Sequence, residues 1–215
     1  AFAAIVGGIV TAFAVYVLAW RKGVQGFRLI IVGIGVSAML SSVNAYLITR
    51  ADVEDAMVVG FWSAGSINRV TWQSLLPSLV IAAVIIVAAI VLARSLRFME
   101  MGDDVATTLG VKTNSTRLAL IVVGVATSAL VTAAAGPISF IALVAPQLAR
   151  RLTKTPGVSL VAAAAMGSAL LSCAHLLSLI ISSFYRTIPV GLLTVSIGGC
   201  YMIWLLLRET RRQYR

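Results

Sequence analysis

Few residues in this chain have side chains able to do chemistry, and their placement limits what that chemistry is. His175 is the only histidine and lies in an apolar run without a carboxylate nearby in sequence. In such a run a His is a candidate base, proton shuttle or ligand. The competing reading is a neutral imidazole held by one hydrogen bond in packing. A Ser–His hydrolase calls for a strained Gly-x-Ser-x-Gly turn, and the sequence has none. Cys173 and Cys200 also lie in apolar runs, without disulfide or metal-ligand spacing, and read as small hydrophobes. No Gly-rich loop closes on Lys-Ser or Lys-Thr, so ATP is not held by that device. All seven Asp and Glu residues fall outside the long apolar runs, which argues against a proton relay or charged ion site within them. The residues thus offer no catalytic constellation and no metal site.

The elements that position these residues are set by hydrophobicity. The 215 residues are 60% hydrophobic and 11% charged, with a mean hydropathy of +1.02. Runs without Asp, Glu, Lys or Arg cover 1–20, 29–49, 70–93, 118–149, 155–185 and 187–207. Each reaches the ~20 residues that cross a ~30 Å hydrocarbon core as a helix. The expected fold class is all-α, a polytopic membrane helix bundle. The net charge of +10 is dispersed in short clusters between these runs, the pattern of loops at a membrane rather than of a nucleic-acid surface. The chain opens inside an apolar run without an initiator Met, and Ala1 to Trp20 has no basic start or cleavage region. It reads as an N-terminally truncated protein.

The run 118–149 decides the topology. Its 32 residues would form a helix of about 48 Å, too long for one crossing, and Gly136-Pro137 offers a break. Split there, the chain has seven spans: roughly 1–20, 29–48, 74–93, the first part of 118–149, 138–150, 158–181 and 189–207. Every Lys and Arg except Arg50, Arg69 and Arg186 then faces one side, 14 against three; left as one span, the count becomes eight against nine. The positive-inside rule selects seven spans, with the amino end outside and the carboxyl end in the cytoplasm. Pro77 falls in the first turn of the third span, where proline is tolerated. The short fifth span, with Pro146, calls for shielding by its neighbours. Trp62 and Trp72 fit an interfacial aromatic belt.

Two polar features stand out. Gly33, Ser37, Ser41 and Asn44 share one face of the second span, either to let helices approach closely or to line a polar pathway. Gly191, Thr194, Gly198 and Tyr201 repeat the pattern on the last span. The segment 95–116 is the most polar interior stretch and is cytoplasmic by the charge count. Within it a short helix is expected, with Asp103 capping its start and Gly110 ending it. Val105, Ala106 and Leu109 share one face of that helix, and an apolar face held outside the bilayer calls for a partner.

Several strings together resemble one family. Gly136 to Leu152, GPISFIALVAPQLARRL, is similar to the Gly-Pro-Ile-x-Phe-Ile-x-Leu-Val-x-Pro-[His/Gln]-x-x-Arg signature of FecCD-type ABC importer permeases. Phe61 to Ser66 resembles the family's Trp-x-x-Gly-Ser segment, and Ile188 to Leu206 its last helix. Gly102-Asp103, Ala106 and Leu109-Gly110-Val111 match the loop between its sixth and seventh helices. Gln147, where many relatives have His, and the ending Val-Ser-Ile-Gly-Gly-x-Tyr resemble ferric-enterobactin-type subunits.

The resemblance implies helices four to ten of a ten-helix, BtuC-like permease, with residues 1–215 forming one permease domain. It implies import of a ferric siderophore across the bacterial inner membrane. Vitamin B12 or haem import by the same fold is the alternative; an ion-coupled secondary transporter and an intramembrane hydrolase using His175 are the readings from other classes. It implies no cofactor on this chain, with ATP and magnesium held by a separate ATPase subunit. That subunit would dock on the coupling loop 95–116 at Gly102, Asp103, Val105, Ala106, Leu109 and Gly110. A second permease subunit, as hetero- or homodimer, and an extracytoplasmic siderophore-binding protein complete the implied partners. Ser37, Ser41, Asn44 and Thr194 would line the pathway, and Arg50, Arg69 and Arg186 would meet acidic residues of the binding protein.

Overall fold

The computed structural model describes residues 2–19, 26–67, 70–155, 157, 159–184 and 188–213. These form nine α-helices: α1 (Phe2–Ala19), α2 (Gly26–Arg50), α3 (Val53–Ser63), α4 (Trp72–Met99), α5 (Asp103–Thr108), α6 (Thr113–Ala135), α7 (Ile141–Thr153), α8 (Leu160–Phe184) and α9 (Val190–Gln213). No strand occurs among the described residues. Each expected span coincides with a helix, namely α1, α2, α4, α6, α7, α8 and α9, and the all-α membrane bundle is the observed class. Phe27–Arg50, Leu75–Met99, Thr113–Ala135 and Leu160–Phe184 are long and apolar enough to cross a bilayer; Val6–Ala19 and Val190–Leu205 are shorter apolar helices. Large apolar side chains point outward all along α2 and α4, as at Ile34, 66% exposed, and Val84, 66% exposed. Such faces are stable only against lipid or other apolar helices.

The chain divides into two compact units. The first comprises residues 1–60 and 71–134. In it α1 packs along α2 and α5 folds back on α4. A Cβ on Gly8 of α1 would stand 3.0 Å from the Cβ of Ala129 in α6, so only glycine allows that approach. With 28 residues, α4 is about 42 Å long and carries Arg94 and Arg97 beyond the ~30 Å hydrocarbon core. Pro77 lies in the second turn of α4 rather than its first, because the helix begins at Trp72 and not at residue 74. Between the second and third expected spans the chain forms α3, with Glu54 and Asp55 in its first turn, where carboxylates favour the positive end of the dipole.

The second unit comprises residues 61–70 and 135–215. The apolar run breaks where the sequence indicates: residues 136–140 are non-helical between α6 and α7. With 13 residues, α7 spans only about 20 Å. It packs against α8 and α9 and buries Val144, Ala145 and Ala149, which supplies the shielding its length requires. Lys154 ends α7 in the left-handed conformation at φ 52°, at a cost of about 1–2 kcal/mol for a non-glycine residue. Phe140 starts it at φ 69° in a tight turn, closed by Ile141 N–H donating to the Ser139 carbonyl at 3.0 Å.

Three distant segments meet at backbone distance in this unit. Ser66 N–H donates to the Ala135 carbonyl at 2.8 Å, and Gly191 N–H donates to the Gly65 carbonyl at 3.1 Å. Gly136, with φ +78°, leaves no room for a Cβ beside the Trp62 carbonyl, nor does Gly191 beside the Ala64 carbonyl. Serines of α8 tie down the start of α9: fully buried Ser178 donates to the Ile188 carbonyl at 2.6 Å, and Ser182 accepts from Ile188 N–H at 3.2 Å. Ser178→Ala is expected to cost about 1–3 kcal/mol, since it strands a carbonyl with little access to water. A melting temperature in detergent unchanged from wild type would show that the bond contributes nothing.

Candidate functional site

The first unit carries the short helix expected in 95–116. Gly102 is its N-cap with φ 106° and ψ 152°, a region open only to glycine. This corrects the expected capping by Asp103. Asp103 is itself helical, makes no cap bond, and presents its carboxylate to the Arg117 guanidinium at 2.6 Å. As N1 residue its backbone is already committed to the helix, whereas an N-cap side chain needs non-helical φ and ψ. Asp103 and Asp104 both sit in the first turn, where negative charge is favoured.

The end of α5 follows the sequence reading. Gly110 has φ +84°, its N–H donates to the Thr107 carbonyl, and Val111 N–H donates to the Ala106 carbonyl, each at 3.0 Å. That is a Schellman closure. Ala106 is fully buried within the chain, whereas Val105 and Leu109 are 43% and 53% exposed. The exposed apolar part of α5 is therefore the pair Val105 and Leu109. Because the Asp103–Arg117 pair is itself partly exposed, at 53% and 29%, Asp103→Asn is expected to cost less than about 1 kcal/mol. The loss should shrink further in 1 M salt; thermal unfolding at two salt concentrations reads it directly.

The same unit carries a groove of about 510 Å³ along α2, closed on one side by Thr11 and Val15 of α1. Gly33, Ser37, Ser41 and Asn44 line it together, four of the residues singled out by their common face. Two hydroxyls and an amide supply donors and acceptors without charge. At the end of α2 the Arg50 guanidinium stands 5.6 Å from the Tyr46 ring centroid. Arg69 and Arg186 lie outside the described residues.

In the second unit Thr194 is 5% exposed, and its hydroxyl donates to the Gly191 carbonyl at 2.9 Å. It borders a cavity of about 230 Å³ between α7, α8 and α9, lined also by Phe140, Val144, Cys173, Gly198 and Tyr201. Gly198 lets the Phe140 side chain lie directly on α9. The Tyr201 hydroxyl, His175 Nδ1 and Gln147 Oε1 are buried without hydrogen-bond partners. No group of three or more His, Cys, Asp or Glu able to hold a metal occurs among the described residues. Sequence reasoning missed α3, the strained Phe140 and the meeting of Gly65, Gly136 and Gly191.

Long apolar helices, a capped polar helix between two of them and a broken span packed by small residues define a polytopic, all-helical membrane protein. Comparison with known proteins narrows this: residues 1–208 match the FecCD transport family, and the chain belongs to it. It is 48% identical to the ferric enterobactin transport system permease protein FepG of Escherichia coli K12, over 99% of this chain and 64% of that protein. It is 36% identical to the iron(3+)-hydroxamate import system permease protein FhuG of Bacillus subtilis 168, over 96% of this chain and 62% of that protein. A solved structure described as a metal-chelate type ABC transporter in an inward-facing conformation superposes with a TM-score of 0.76 at 26% identity, covering 95% of this chain and 65% of that one. The chain thus spans somewhat under two thirds of the length of these relatives, and the family expected from Gly136–Leu152 and the matching strings is the one found.

Proposed function

We propose that the chain is the membrane-spanning permease part of an ATP-driven importer of ferric siderophores in the bacterial inner membrane. The observation that carries this is the 48% identity to a ferric enterobactin permease along 213 residues. The carboxyl end and the stretch 95–116 face the cytoplasm, as the charge asymmetry requires, and residues 1–215 act as one permease domain. A separate ATPase subunit holds ATP and magnesium and docks on Val105 and Leu109, with Gly102, Asp103, Ala106 and Gly110 shaping α5 for it. A second permease subunit completes the pathway. Ser37, Ser41, Asn44 and Thr194 border it, the first three in an open groove; uncharged polar groups pass a bulky chelate without trapping it. Arg50, Arg69 and Arg186 attract acidic residues of an extracytoplasmic binding protein.

Movement of α5, imposed by closure of the ATPases, is transmitted through α4 and changes which side of the pathway is open. No bond in the substrate is made or broken by this chain. The test is uptake of iron-labelled siderophore by cells expressing the complete transporter, with ATP depleted or the proton gradient collapsed. Uptake is expected to stop on ATP depletion alone. Uptake that survives ATP depletion and fails with the gradient would overturn the proposal in favour of ion coupling.

A further inference from the structure

The ends of α7 and α9 carry a charge cluster that the proposed transport cycle does not use. Arg150 and Arg151 close α7, and Lys154 caps it. The Arg151 guanidinium stands 5.9 Å from the Trp204 ring centroid on α9, within the range of a cation–π contact. No carboxylate of the described residues is paired with Arg151 or Lys154 in the structure. Beyond Trp204, α9 continues as helix to Gln213. The carboxyl end of α7 contributes about half a negative charge, which the positive charges of Arg151 and Lys154 outweigh.

The apolar surroundings tell what covers this cluster. On the hydrocarbon side of the cluster, Leu143 of α7 is 56% exposed and Ile203, just before Trp204 on α9, is 62% exposed. Trp204 is itself 49% exposed, as an indole at the boundary between hydrocarbon and headgroups is. Cations beyond these exposed apolar side chains, with an amphipathic ring between them, match the layering of a lipid leaflet: acyl chain, glycerol level, phosphate.

The geometry points to a site for an anionic phospholipid headgroup at the ends of α7 and α9, its phosphate held by Arg151 and Lys154 and its glycerol level against Trp204. The leaflet, the cytoplasmic one, rests on the orientation proposed above; the site itself does not. The bound lipid fixes the ends of α7 and α9 against each other.

The test is lipid retention by the intact transporter carrying this chain, measured by native mass spectrometry with phosphatidylglycerol or phosphatidylcholine. Each basic residue near an anionic headgroup is worth about 1 kcal/mol, or about five-fold. The double variant Arg151→Gln/Lys154→Gln is therefore expected to lose phosphatidylglycerol about 25-fold, with a smaller loss for phosphatidylcholine, whose phosphate charge is offset by its choline. Trp204→Ala should weaken both lipids together. Equal retention of phosphatidylglycerol by wild type and the double variant overturns the site, and loss of a co-purifying protein from that variant with lipid retention intact reassigns the surface to a protein partner. Inorganic phosphate that competes as well as the lipid would overturn the lipid as the ligand. A cysteine appended to the tail of a Cys173→Ser/Cys200→Ser background reports the orientation separately. Its labelling by an impermeant maleimide in intact cells would overturn the leaflet while leaving the lipid preference standing.

Discussion

Alanine at Gly136 or Gly191 is expected to lower both the recovery and the melting temperature of the folded protein sharply. At Gly136 the penalty has two parts. A side chain at φ +78° is strained, at about 1–2 kcal/mol, and its Cβ would run into the Trp62 carbonyl and stand 3.1 Å from the Gly65 Cα. At Gly191 the Cβ would run into the Ala64 carbonyl and stand 3.3 Å from the Gly65 carbonyl oxygen. The latter accepts the Gly191 N–H at 3.1 Å, so moving apart to relieve the clash also gives up a hydrogen bond. Overpacking of about 1–3 kcal/mol with about 1 kcal/mol for that bond removes a large share of a typical stability of 5–15 kcal/mol. Backbone is the obstacle in both cases, and backbone cannot rotate aside as a side chain does. Gly199, with nothing within 4 Å of its would-be Cβ, is the control: Gly199→Ala should be neutral or stabilising by up to about 1 kcal/mol. Size-exclusion profiles and melting curves in detergent compare the three; a Gly191→Ala protein that melts with wild type would show that the junction is looser than described.

Leu109→Asp is expected to uncouple the transporter while leaving the chain folded. Leu109 is 53% exposed, so its replacement costs the fold little, within about 0.5 kcal/mol. If α5 is the surface on which the ATPase docks, a charge there removes an apolar contact and desolvates a carboxylate, a loss of 2 kcal/mol or more at a docking hot spot. That corresponds to about 30-fold weaker association, read as loss of the ATPase on co-purification and a parallel fall in uptake. Ala106→Asp differs in kind. Ala106 is fully buried within the chain, so that variant buries an unpaired charge and should lower the melting temperature as well. Retention of the ATPase by Leu109→Asp at wild-type level would move the docking surface elsewhere.

Much of this architecture was legible from residue type alone because a bilayer imposes a length and a polarity on each element. The helices α1, α2, α4, α6, α7, α8 and α9 and the break at Gly136-Pro137 follow from apolar run length and charge asymmetry. The closure of α5 at Gly110 follows from the one residue type that tolerates its φ. Helix α3 was missed because Asp52, Glu54 and Asp55 read as a solvated segment, although acidic residues ahead of an apolar stretch are also a helix-start signal. Asp103 was placed one position too early, since Gly102 and Asp103 are both good N-caps and only φ separates them. The polar face of α2 was legible by spacing, and the groove gathers Ser37, Ser41 and Asn44. The sequence could not say that Ala106 turns inward, because two neighbouring apolar residues on a six-residue helix are equivalent until the tertiary contact with α4 is known. Nor could it bring Gly65, Gly136 and Gly191 together, since close approach of distant backbone leaves no periodic trace.

That three-way junction also sets a timetable. Gly65 leaves the ribosome 126 residues before Gly191, an interval of about 6–25 s at ordinary synthesis rates. Helices elongate in nanoseconds per residue, so α1 to α4 are formed long before the Gly65 carbonyl meets its partner. Ala135 emerges about midway through that interval, so Ser66 N–H can pair first, whereas the Gly65 carbonyl stays without its partner until Gly191 is made. Assembly of the second unit is therefore late in biogenesis: a segment made before α4 is locked only when α9 arrives.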